Sequence, residues 1–137
     1  MKKLFSMIAL VSSALFSSFS NADIAVIVNP ANSATISQDD VVKLFLGKAK
    51  SFSNGDTAVP VNQENGAVDE FNSKVLNKSG SQIKAYWSKL VFTGKGTPPK
   101  EVDGDDEVKK LVADNPNIIG YIDASKADGS VKVVLTL

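Results

Sequence analysis

The chain has 137 residues, with 15 basic residues balancing 15 acidic ones, and hydrophobic residues make up 43%. That composition fits one folded domain and excludes a disordered or collagen-like chain, while zero formal charge argues against a nucleic-acid binder. There is no Cys, no His and no Arg, so disulfides, thiolate or imidazole catalysis, ordinary zinc or copper sites and guanidinium clamps are all excluded.

Lys2 and Lys3 precede an uncharged, mostly apolar run from Leu4 to Phe16, and small residues stand at Ser20 and Ala22. This is the n-region, h-region and cleavage site of a secretory signal peptide over residues 1–22. The run is too short to span a bilayer, which needs roughly 20 apolar residues. No Cys follows it for lipidation, so the expected product is a domain over residues 23–137 with two more acids than lysines, free in the periplasm.

Ile24 to Asn29 is apolar almost throughout, the signature of a strand buried on both faces. Pro30 ends it. Ser37 is an N-cap with Asp39 and Asp40 in the first turn, and Val41 to Leu46 form a helical apolar face that Gly47 stops. Asn54-Gly55 marks a turn. Ala58 to Asn62 reads as a second strand, placed at an edge or made irregular by Pro60. Val68, Phe71, Val75 and Leu76 predict a helix from Ala67 to Leu76. Ile83, Tyr86, Trp87, Leu90 and Val91 predict a stronger one opened by Ser79. Phe71, Tyr86, Trp87 and Phe92 are expected in the core. Asp103 to Glu107 starts a helix that buries Val108, Leu111 and Val112 and ends at Asn115-Pro116. Ile118 to Ile122 is a buried strand. Asp128-Gly129 is a hairpin-type turn before a closing strand over Val131 to Leu137. The expected order is β-α-β-α-α-α-β-β, one α/β lobe with a mixed sheet and three-layer-like packing.

The ordered set Asn29-Pro30, Leu44-Phe45-Leu46-Gly47-Lys48, Asn54-Gly55, Val59-Pro60-Val61, Phe71, Tyr86-Trp87, Phe92-Thr93-Gly94-Lys95-Gly96, Pro98-Pro99 and Ile119-Gly120-Tyr121-Ile122 resembles the phosphate-type substrate-binding proteins of ABC transporters. These belong to the type 2 periplasmic-binding-protein superfamily, and the likeness is to small members of about one lobe. The resemblance implies a loop facing a cleft that takes phosphate or a related oxyanion. It also implies an ABC permease or a sensor protein as partner, and a monomer or homodimer as the working form. The two-lobed family places an arginine and then a Ser-Gly-Thr run after the second strand. Here that stretch reads VNQENGAVDEF, without hydroxyls at the helix start and with Glu64 and Asp69 beside it.

The candidate ligand-binding residues are Asn62, Gln63, Asn65, Gly66, Ala67 and Val68 at that helix start, where backbone N–H groups and the dipole attract anions. Asn29, Ser33 and Thr35 join them from the loop after the first strand, where open α/β sheets place ligands. Asn65 is equally a candidate helix cap. Gly94-Lys95-Gly96-Thr97 lacks the P-loop spacing, and the acids at 103–107 lack the calcium-loop pattern. No cofactor or metal and no catalytic constellation is expected, and no membrane insertion after processing. Two functional readings stand: a solute-binding lobe for ABC-type uptake or sensing, and a ligand-free interaction or sensor subunit derived from such a lobe. N-terminal sequencing of the protein from the exported fraction is expected to begin at Asp23; intact Met1 on membrane-bound material would refute the signal peptide.

Overall fold

The computed structural model describes residues 23–137, and the segment assigned to the signal peptide lies outside the described residues. The chain runs β1 (Ile24–Val28), α1 (Gln38–Phe45), β2 (Val59–Gln63), α2 (Val68–Lys74), α3 (Gly80–Phe92), β3 (Lys100–Val102), α4 (Asp105–Asp114), β4 (Ile118–Asp123) and β5 (Lys132–Thr136), with a 3₁₀ turn at Ala124–Lys126 before β5. The sheet order is β3-β2-β4-β1-β5. β2 pairs in parallel with β3 and β4, while β1 is antiparallel to both β4 and β5.

β1 is buried along its whole length, as its unbroken apolar sequence predicts. One sheet face packs Ile24, Val26 and Val28 with Phe45, Phe71, Trp87 and Tyr121 under α1, α2 and α3. The other packs Ala25, Ile27 and Ile122 with Val108 and Val112 of α4. The result is helices, sheet and helix in three layers. Capping boxes start α1 and α3, where Ser37 pairs with Asp40 and Ser79 with Gln82.

Several expectations are corrected. β3 was not expected: only three residues long and preceded by Pro98-Pro99, it is too short to show periodicity. Pro60 does not put β2 at an edge. β2 lies between β3 and β4, and its pairing with β3 begins only at Val61, so no β3 carbonyl requires a Pro60 N–H. The Asp128-Gly129 turn does not join paired strands, because β1 separates β4 from β5. Phe92 is not core: it is 92% exposed. Nine residues past Ile83, it falls about 180° round the helix from the buried stripe. Val91 likewise is 54% exposed, whereas Ile83 and Trp87 are buried.

Gly120 sets the distance between sheet and α4. A Cβ there would stand 2.4 Å from Val108 Cγ1 and 3.5 Å from Val112 Cγ2. Gly120→Ala is therefore expected to cost about 1–3 kcal/mol by overpacking. Thermal unfolding should show Val108→Ala, Gly120→Ala less destabilised than the sum of the single changes; strict additivity would show that the helix simply moves away.

Candidate ligand-binding cleft

The parallel strands β2, β3 and β4 all direct their carboxyl ends to one side, the side where open α/β sheets bind ligands. An open cleft of about 900 Å³ lies there. The end of β2 contributes Asn62, Gln63 and Glu64; α2 contributes Val68, Asp69 and Asn72. Ile83, Lys84, Trp87 and Val91 of α3 form the facing wall, and Glu101 of β3 borders it.

The candidate residues divide between the two ends of the sheet. Val28 of β1 pairs with Ile119 at the start of β4, whereas Ile24 pairs with Asp123 at its end. The Asn29–Thr35 loop therefore lies a strand length, ~15 Å, from the Asn62–Val68 turn. Asn29 is also committed elsewhere. Its Nδ2 donates to the carbonyls of Val112 (3.1 Å) and Ala113 (2.8 Å), and its Oδ1 accepts from Ala31 N–H, so it closes the last turn of α4. Ser33 and Thr35 are exposed on that loop.

At the cleft end the structure brings Asn62, Gln63, Asn65, Gly66, Ala67 and Val68 into one turn. Asn65 does not cap α2. Its Nδ2 donates to Asp103 Oδ1 (3.1 Å), and its N–H to the Asp103 carbonyl (3.2 Å). Ala67 is the N-cap residue and has no capping side chain of its own. Gln63 does that work from a distance. Its Oε1 accepts the Ala67 N–H at 3.0 Å, while its Nε2 donates to Asp105 Oδ1 (2.8 Å) and the Tyr121 carbonyl (2.7 Å). Gly66 makes room for this, with φ 64° and a Cβ position that would fall 2.7 Å from Gln63 Oε1.

Gln63 is 1% exposed, a buried polar side chain whose amide is satisfied by three partners. One donor expected to face an anion is thus already bonded within the protein. Asp105, whose side chain is only 9% exposed, is held on its other oxygen by Lys126 at 3.5 Å. Sequence reasoning placed Gln63 in the turn but not its partners, because Asp105 and Tyr121 come from α4 and β4. The sequence pattern places Asp105 only in an acidic helix start.

Tyr121, fully buried, supports Asn62 and Gln63 from beneath the cleft. Its ring stacks on Phe71 at 3.8 Å between centroids, and its hydroxyl donates to Asn62 Oδ1 and accepts the Gln63 N–H (3.2 Å). Burial pushes the phenol well above its ordinary value. The Gln63 hydrogen bond opposes that rise, and the carboxylates of Glu101, Asp105 and Asp69 add to it.

Among the described residues no cluster could hold a metal ion, and no helix is long and apolar enough to cross a membrane. Asn72 is 5% exposed, and its Oδ1 is buried without a hydrogen-bond partner among the described residues. Asn72 borders the cleft, while this oxygen itself is shielded from solvent.

Gln63→Ala is expected to lower stability by about 3 kcal/mol in urea unfolding, since it strands the Ala67 N–H and removes a donor from Asp105. A loss under 1 kcal/mol would show that water replaces the amide.

No protein-family model and no curated protein matches the sequence. Solved structures do match. A protein of Clostridium perfringens assigned as a phosphate ABC transporter substrate-binding protein, solved with bound phosphate, superimposes with TM-score 0.64 and 25% identity over 82% of this chain. An ABC-type phosphate transport receptor of Vibrio cholerae gives TM-score 0.63 at 20% identity. PstS of Borrelia burgdorferi gives 0.60 at 18%. The chain spans about half the length of each, 45%, 46% and 47% respectively. The described domain therefore has the fold of one lobe of the phosphate ABC transporter substrate-binding proteins.

Proposed function

We propose that the chain is an exported solute-binding-type lobe serving ABC-type uptake or sensing in the periplasm. In this reading it holds free phosphate only weakly by itself and works against a second polypeptide, an ABC permease or a sensor protein. It is a binding protein and not an enzyme, as the transport-protein descriptions of its structural neighbours suggest.

The observation that carries the reading is Gln63. Its Oε1 sits on the Ala67 N–H, one of the backbone donors an oxyanion would use. Glu64, Asp69 and Glu101 border the same cleft, and the sequence has no arginine to offset them. A charge-assisted hydrogen bond contributes roughly 1.5–3 kcal/mol. Losing a two-bond clamp of that kind removes several powers of ten in affinity. Solvent and salt screen what attraction the open cleft retains.

A second reading, in which another chain closes over the cleft and the pair holds phosphate at Asn62–Val68, is favoured by the phosphate bound in the Clostridium perfringens protein. Calorimetry with phosphate and sulfate on residues 23–137 separates the two. The expected result is affinity no tighter than about 1 mM, roughly 4 kcal/mol, at every protein concentration. Micromolar binding by the dilute monomer would overturn the proposal, and affinity that rises with protein concentration would establish the second reading.

A further inference from the structure

We propose that the cleft between α3 and the β2–α2 turn seats a polypeptide segment of a partner protein carrying lysine or arginine beside apolar side chains. The inference rests on the reading that this lobe works against a second polypeptide, and it names the chemistry of that partner.

Charge on the cleft is lopsided. Glu64, Asp69 and Glu101 line it, all exposed, against the single lysine Lys84. Their field is the wrong sign for an anion and the right sign for a cationic side chain. Beside them the α3 wall is apolar. Ile83 and Trp87 reach the cleft from the buried stripe, and Val91, 54% exposed, continues it outward. Phe92 follows at the lip with 92% of its surface in water. Two adjacent bare apolar side chains at the mouth of a cleft are a feature of binding surfaces more than of solvated helix ends.

Asn72 supplies an independent sign that something is to be bound. Its buried Oδ1 has no partner among the described residues, and leaving such an acceptor unpaired is costly. That oxygen is shielded from solvent, so an N–H donor of an incoming chain meets it once the Asn72 amide turns toward the cleft.

The occupant is a polypeptide of another protein. A small solute in the cleft would leave Phe92 bare, whereas a chain running out across the lip covers it. A second copy of this chain fits poorly. Pairing through the same face by a two-fold axis sets Glu64, Asp69 and Glu101 near their own copies, and like charges repel.

Trp87 is the sole tryptophan and lines the cleft, so its fluorescence reports occupancy directly. The probe is a 14-residue amphipathic peptide of lysine and leucine, titrated into residues 23–137. The comparison peptides have glutamate in place of lysine, or serine in place of leucine. We expect a saturable Trp87 response to the lysine–leucine peptide alone, weakening as salt is raised. Glu64→Gln, Asp69→Asn, Glu101→Gln together should weaken it at least tenfold. Asp39→Asn, Asp56→Asn, Asp114→Asn remove the same charge elsewhere and should change it less than twofold. Phe92→Ser should weaken it several-fold without altering the unfolding temperature.

No saturable response, equal binding of the glutamate–leucine peptide, or equal effects of the two charge triples would each overturn the proposal. Any of these outcomes leaves the weak-phosphate reading standing, since calorimetry with phosphate decides that separately.

Discussion

Tyr121 joins the hydrophobic core to the cleft, and both depend on its position. Its ring lies flat on Phe71 and tilted against Phe45, 5.9 Å away, so α1, α2 and β4 share one aromatic cluster. The tilted contacts of Phe45 with Phe71 and Tyr121 stabilise beyond the area that aromatic burial removes from water. The hydroxyl at the other end of the ring meets Asn62 and the Gln63 N–H. Gln63 in turn anchors the start of α2 and reaches Asp105 on α4. A single side chain thus fixes the floor of the cleft relative to both helical layers. The floor is preformed, because each of these bonds is made within the protein.

What the sequence made legible follows from locality. The unbroken apolar run of β1, the capping boxes at Ser37 and Ser79, and the Val108 and Val112 spacing of α4 each depend on residues a few positions apart. What it hid depends on residues distant in sequence. Gln63 and Asp105 are bonded across 42 positions, and Asn29 and Val112 across 83. The loop after β1 and the turn after β2 look alike in sequence because both follow strands. The antiparallel direction of β1 against β4 sends them to opposite ends. Phe92 is a different failure, since its aromatic character suggested core while its helical angle pointed to solvent.

The absence of arginine and histidine gives the charge pattern its meaning. Lysine can pair with a carboxylate, but it offers neither a planar fork for phosphate nor a titration near neutrality. Lysine is also committed at three described carboxylates that do not line the cleft: Lys109 holds Asp128 at 2.5 Å, Lys126 holds Asp105 at 3.5 Å and Lys74 holds Glu70 at 3.6 Å. α2, only seven residues long, offers a short stack of peptide dipoles, and one of its terminal N–H groups is spent on Gln63. The carboxylates of the cleft therefore set its potential.

The open cleft of the described lobe bears on which physical force can give recognition. Two lobes that close exclude water, and in the lower dielectric that results, a few polar contacts are strong. The cleft of the described lobe is open to solvent. Exposed ion pairs contribute at most about 1 kcal/mol each and weaken with salt. Apolar contact is not screened by salt in this way, and burial is worth roughly 25 cal/mol per Å² removed from water before the entropic costs of association. The apolar wall from Trp87 to Phe92 is therefore where an open lobe can obtain affinity, with Glu64, Asp69 and Glu101 choosing among partners by charge. This division of labour, area for affinity and carboxylates for discrimination, suits a partner chain larger than an ion.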